Sequence, residues 1–193
     1  MPAIERRWFM GTLLAALPSL SLCDRPLADS TQAGVKVPAD GDRFGKSRSI
    51  GFNSTTFKVA TGDTQGALFI MEQHSTKPGG PPLHLHHEQD EFWYVISGEY
   101  IFQIDSERYR AQSGDCLLGP RNIPHAYAFD GTSGGRILIG FTPAGRMEEY
   151  FERPRTPGVY VADAALYRAY GMELLGPPLS LDDARGKSDK RNK

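Results

Sequence analysis

A succession of short runs rich in β-branched and aromatic residues, each closed by a turn signal, constrains this chain more than any other feature. The runs fall at 55–60, 67–73, 83–86, 92–96, 100–104, 108–111, 116–118, 125–129 and 136–141. Gly, Pro, Asp or Ser stands at almost every junction, as in Thr61-Gly62-Asp63, Lys77-Pro78-Gly79-Gly80, Ser97-Gly98 and Gly114-Asp115. Such residues supply the dihedrals of tight turns and end strands before they can become helices. Many short strands at this spacing imply an all-β sandwich or barrel. No internal repeat is visible, so a single barrel is expected, and a second can come only from another subunit, as in a homodimer.

After the last run the period changes. Met147, Tyr150 and Phe151 fall on one helical face of 144–151, and a second helix is expected at about 163–170, with Asp163 as cap and Gly171 as stop. Both helices are expected to cover an end of the barrel. The predicted organisation is a processing region at 1–33, a linker at 34–48, the barrel at 49–143, a helical segment at 144–180 and an unstructured charged tail at 181–193.

The run Pro81-Pro82-Leu83-His84-Leu85-His86-His87-Glu88-Gln89-Asp90-Glu91 carries the chemistry. Side chains alternate across a strand, so His84 and His86 share one face while His87 takes the other. Glu91 joins them only if 88–90 turn the chain and a new strand starts with its first side chain aimed back at the imidazoles. With His125, these residues make three neutral nitrogen donors and one carboxylate. That set suits one divalent transition ion, Fe, Mn, Ni, Co, Cu or Zn, and leaves positions open for another ligand. His74 and His87 are not expected to take part. If Glu91 and His125 point inward, parity turns Trp93, Val95, Tyr127 and Phe129 inward too, as barrel core or as the wall of a pocket for a planar, mostly apolar substrate.

The spacing resembles the two motifs of the cupin superfamily. His84, His86, Glu91 and Gly98 stand in register with the first motif, although Pro78 holds the place of its opening glycine. Gly114, Pro120 and His125 match the second, with Asn122 in place of a glycine and Phe129 in place of an asparagine. The resemblance implies a double-stranded β-helix, a jelly-roll barrel, with His84, His86, Glu91 and His125 on the metal. The phrases 80–86, 90–95 and 141–145 resemble the quercetinase-like single-domain bacterial cupins. That likeness implies metal-dependent dioxygenation of a small enolisable or phenolic, flavonol-like substrate by O2, with Glu91 as ligand and general base. Isomerases, lyases and proteins that only bind a small molecule share these motifs, and the residues do not separate the three classes.

At 193 residues and a net charge of −1, from 22 basic and 23 acidic residues, the chain has no electrostatic footprint for nucleic acid. Arg6-Arg7 precedes an apolar stretch at 11–22, shorter than the roughly 20 residues that span a bilayer. This reads as an export signal, and Glu5-Arg6-Arg7-Trp8-Phe9-Met10 resembles a twin-arginine motif. A periplasmic or secreted protein without a transmembrane segment in its mature form is expected. Cys23 lies in the leader, and Cys116, inside an apolar run, is expected to be a small buried hydrophobe.

Overall fold

The computed structural model describes residues 34–155 and 162–181. The expected leader at 1–33 and residues 182–193 of the expected tail lie outside the described residues. In chain order the elements are β1 (Arg48–Ile50), β2 (Asn53–Val59), β3 (Phe69–Ser75), β4 (Pro82–His86), β5 (Asp90–Ser97), β6 (Tyr100–Ile104), β7 (Glu107–Ala111), β8 (Cys116–Gly119), β9 (His125–Phe129), β10 (Gly135–Thr142), α1 (Met147–Glu152), α2 (Ala164–Ala169) and β11 (Met172–Pro178). Every run expected to be a strand is one.

The strands form two antiparallel sheets, ordered β1-β2-β3-β10-β5-β8 and β11-β4-β9-β6-β7. From β4 onward the chain crosses repeatedly between them, which is the jelly-roll arrangement. Residues close in sequence, such as His86 on β4 and Glu91 on β5, therefore face each other from opposite sheets. The core between the sheets is aromatic: Phe57, Phe69, Trp93, Tyr100, Phe102, Phe129 and Phe141 are all fully buried. Phe57 and Phe69 meet edge to face at 4.8 Å, the geometry that ring quadrupoles favour. The β5–β6 turn passes through Gly98 at φ 87°, where a Cβ would press on the Phe129 ring and the Gly135 backbone. Only glycine fits there.

The helices stand where their apolar faces predict. Met147, Tyr150 and Phe151 are buried, and the Asp163 side chain accepts from the amides of Ala165 and Leu166 at the start of α2. Glu148 accepts from the amide of Thr61, and Glu152 pairs with Arg48, a guanidinium only 7% exposed. Arg146 donates to the Ala169 carbonyl at 2.8 Å, tying α1 to α2.

Three features differ from the sequence reading. The segment 144–180 is not helical throughout, because Met172–Pro178 forms β11 and pairs with β4. Met172 and Leu174 point inward at strand period, but Gly176 and two prolines hide that signal. Cys116 is exposed rather than buried. Its run is the edge strand of the six-stranded sheet, and Cys116 and Leu118 face outward from it. The stretch at 34–48, expected as a linker, is tied to the barrel. The Asp42 carboxylate accepts from the amides of Phe44, Lys46 and Phe57 and pairs with Arg48.

Candidate metal centre

Strand pairing assembles the site from both sheets. β4 and β9 pair with His84 directly opposite His125. His86 lies two residues along on the same buried face, while Leu83 and Leu85 are only half-buried. Residues 87–89 turn the chain, β5 begins at Asp90, and Glu91 enters from the facing sheet. Asp90 holds that entry by accepting from the backbone amide of Arg121 at 2.9 Å and pairing with its guanidinium at 2.8 Å. The start of β5 is thereby tied to the turn that leads into His125.

Asn122 in that turn adopts φ 62°, the left-handed region that asparagine tolerates better than most residues. This accounts for its standing where the family motif has glycine. Its amide donates to the His86 carbonyl at 2.7 Å. At Gly119, opposite Glu91, a Cβ would come within 2.7 Å of the Trp93 ring and 3.1 Å of His125 Nδ1. The missing side chain lets both rings seat.

One ligand atom from each of His84, His86, Glu91 and His125 lies within 4.8 Å of all the others, and the four residues are buried. Glu91 Oε2 is 3.1 Å from Nε2 of His86, 3.1 Å from Nε2 of His125 and 4.0 Å from Nε2 of His84. His84 Nδ1 donates to the Pro82 carbonyl at 2.8 Å, and His125 Nδ1 donates to the Ile123 carbonyl at 2.9 Å. A carbonyl only accepts, so each of these rings carries its proton on Nδ1 and aims an Nε2 lone pair at the centre. Lone pairs converging on a carboxylate oxygen repel unless a cation lies among them. The donor set therefore fits a divalent transition ion, with two of its three imidazoles held by backbone acceptors in the ligating tautomer.

Electrostatics agree with this reading. Burial, followed by the neighbouring His125 and His86, holds the His84 imidazole down to about 3, so it is neutral and able to ligate. Burial works to raise the Glu91 carboxyl, and only positive charge at the His125 and His86 nitrogens, or a cation in its place, outweighs that and keeps the group well below the usual carboxylate range. His87 takes no part: its ring is half exposed beside Glu173 on the other face. His74 is exposed on β3.

A cavity of about 30 Å³ adjoins the cluster. Of the residues that parity turned inward, Tyr127 lines it, whereas Trp93, Val95 and Phe129 do not. Trp93 packs on His125 with ring centroids 5.3 Å apart, behind the ligand rather than in front of it. Val95 and Phe129 lie farther along the same strands, in the sealed core. The cavity wall includes residues that the sequence did not assign to the site. Met71 and Gln73 come from β3, Tyr150 from α1, Tyr167 from α2 and Met172 from β11. Inward parity on β3 was the available signal for Gln73. Nothing local marks where a helix will dock, yet Tyr167 stands edge-on to His84 at 5.6 Å.

Comparison with known proteins agrees with the fold. Residues 72–141 match the profile of the cupin domain family. An uncharacterized protein of Methanocaldococcus jannaschii is 30% identical over 43 residues, which are 22% of this chain and 34% of that protein. The chain thus spans about a third of that relative's length. The structure of KdgF from Halomonas sp. superposes with a TM-score of 0.50 at 15% identity, covering 57% of this chain and 94% of the other. An RmlC-like cupin from Shewanella frigidimarina gives 0.44 at 20% identity, covering 51% and 84%. At 15% identity the likeness to the KdgF structure is one of fold.

Proposed function

With residues 72–141 forming a cupin domain, this chain belongs to the cupin superfamily, and we propose that it is an exported metal-dependent dioxygenase. Its substrate would be a small enolisable or phenolic compound. The observation that carries this reading is the convergence of three imidazoles and one carboxylate on a single buried point beside a cavity. A purely structural barrel gains nothing from burying four titratable groups together, since each costs free energy that an apolar side chain would not. When bound, a divalent transition ion supplies Lewis acidity and, if redox-active, a route for O2.

The chain's own residues then have separable tasks. His84, His86, His125 and Glu91 would hold the ion. The carbonyls of Pro82 and Ile123 fix two of those rings by accepting their Nδ1 protons. Glu91, ionised at neutral pH, accepts the hydroxyl proton of the substrate. Its weak basicity suits an acidic hydroxyl such as that of an enol or phenol. Trp93, packed against His125, keeps water from the rear of the site, while Phe141, packed against His86, lines the cavity.

The test is metal analysis of the purified protein followed by an O2-uptake screen over enolisable phenols, from single-ring compounds to flavonols. A redox-active ion with O2 uptake is the expected result. Zinc without uptake would replace the dioxygenase by a non-oxidative enzyme that uses the ion as a Lewis acid. Export by the twin-arginine route is part of the proposal, supported by Arg6-Arg7 ahead of 11–22. Lysine at both positions should leave the protein in the cytoplasm, and undiminished export of that variant would assign it to ordinary secretion.

A further inference from the structure

The cavity beside the cluster is built from two unlike walls. One is polar: Tyr127 donates to Gln73 Oε1 at 3.0 Å, and Gln73 Nε2 donates to Ser75 Oγ at 3.3 Å, all within a buried aromatic core. An amide nitrogen carries two N–H groups. The bond to Ser75 uses one of them, and Gln73 lines the cavity. The other wall is soft. Met71, Met147 and Met172 all line the cavity, and the chain has only five methionines, two of which, Met1 and Met10, fall in the leader. Unbranched thioether side chains turn at small cost and repack around a ligand. At about 30 Å³ the space exceeds what one water needs but is an order of magnitude below the roughly 300 Å³ at which pockets for larger organic ligands begin.

We propose that this site selects a compact oxygen ligand, acyclic or of a single ring, which binds the ion through one oxygen while Gln73, braced by Tyr127, donates a hydrogen bond to an oxygen of the same ligand. Rotation of the three methionines enlarges the cavity enough for such a molecule. A fused or linked frame of several rings would also have to displace α1 and α2, because Tyr150 and Tyr167 stand in its way. Both helices are fastened, by Glu152 to Arg48 and by Arg146 to the Ala169 carbonyl. Gln73 is a positioning and specificity residue here, and the inference rests on the metal reading of the cluster.

The experiment titrates the full chain, loaded with cobalt(II), with tropolone and with 3-hydroxyflavone, following the absorption of the metal. The two probes present the same hydroxyketone donors, one on a single ring and the other on a larger frame. Tropolone should bind at least about tenfold more tightly, a difference that a size-restricted pocket readily supplies. Gln73→Leu should weaken tropolone by about tenfold, the usual worth of one hydrogen bond, with cobalt uptake unchanged. Tyr127→Phe, which removes the brace but keeps the ring, should weaken it in the same direction. Tyr167→Ala should narrow the gap between the probes by admitting the flavone.

Equal binding of both probes to the native chain would overturn the size argument. Unchanged tropolone binding in Gln73→Leu and Tyr127→Phe would overturn the polar one. A chain that takes up no cobalt would overturn the metal reading itself, and this inference with it.

Discussion

The two ends of the barrel interior are made by the same strands and do opposite things. Along the inner face of β5 the side chains run Glu91, Trp93, Val95, and along β9 they run His125, Tyr127, Phe129; all are buried. At one end these faces supply a carboxylate and an imidazole to the cluster. Four residues farther on, roughly 13 Å at the rise of a strand, they supply only apolar packing against Tyr100 and Ile137. Strand alternation thus tells which way a side chain points. Depth along the strand determines whether it meets a ligand or the core, and depth depends on where the second sheet and the covering helices stop.

The largest effect expected from this contrast is on turnover. Glu91→Gln keeps the size and one oxygen donor but removes nearly all basicity, so activity on an identified substrate should fall by about 10² to 10⁴-fold while part of the metal is retained. If the metal-replete variant turns over like the native protein, Glu91 is a ligand only, and the proton acceptor lies elsewhere.

Metal content separates the buried histidines of β4 and β9 from the exposed one just past the end of β4. His84→Ala or His125→Ala removes a nitrogen donor outright and should lower metal affinity by more than the roughly 10 to 100-fold typical of losing an outer partner of a ligand. His87→Ala, on the exposed face, should change the bound metal little. Elemental analysis of the three variants checks this, and equal loss from His87→Ala would break the parity assignment.

The far end should respond in stability alone. Phe129 is fully buried and its ring lies 5.5 Å from that of Tyr100. Phe129→Ala should cost about 3 to 5 kcal/mol of folding free energy through lost transfer and a residual cavity. Denaturant unfolding measures that cost. Loss of metal from the folded variant would show the two ends to be coupled.

The smallest effect concerns the tie between the ends of β5 and β9. Hydrogen bonds from the Arg121 side chain and amide, helped by its charge, hold the Asp90 carboxyl down to about 2 from an ordinary 3.8. Its folded pKa is depressed, so the stabilisation is complete above 3.8 and is lost as pH falls through about 2. Asp90→Asn should therefore lower the melting temperature slightly at neutral pH, as a solvent-screened pair would. The difference from the native protein should vanish in acid. A constant difference across that range would mean that the hydrogen bonds, not the charge, hold the turn.

The amino-acid sequence by itself determined nine of the eleven strands among the described residues, because apolar alternation between turn residues is a local property with local physical causes. It also determined the four residues of the cluster: spacing set the shared face of His84 and His86, and the turn at 87–89 returned Glu91 toward them. Asn122 shows how fine this legibility is, since a non-glycine residue kept the left-handed turn that the motif requires. Tertiary structure alone decided what surrounds the cluster. The exposure of Cys116 follows from β8 being a sheet edge, and the burial of Met172 follows from β11 pairing with β4. Gln73, Tyr150 and Tyr167 become the walls of one cavity only because β3, α1 and α2 dock around it. Such neighbours are brought together by long-range packing, whose register and depth no local pattern encodes.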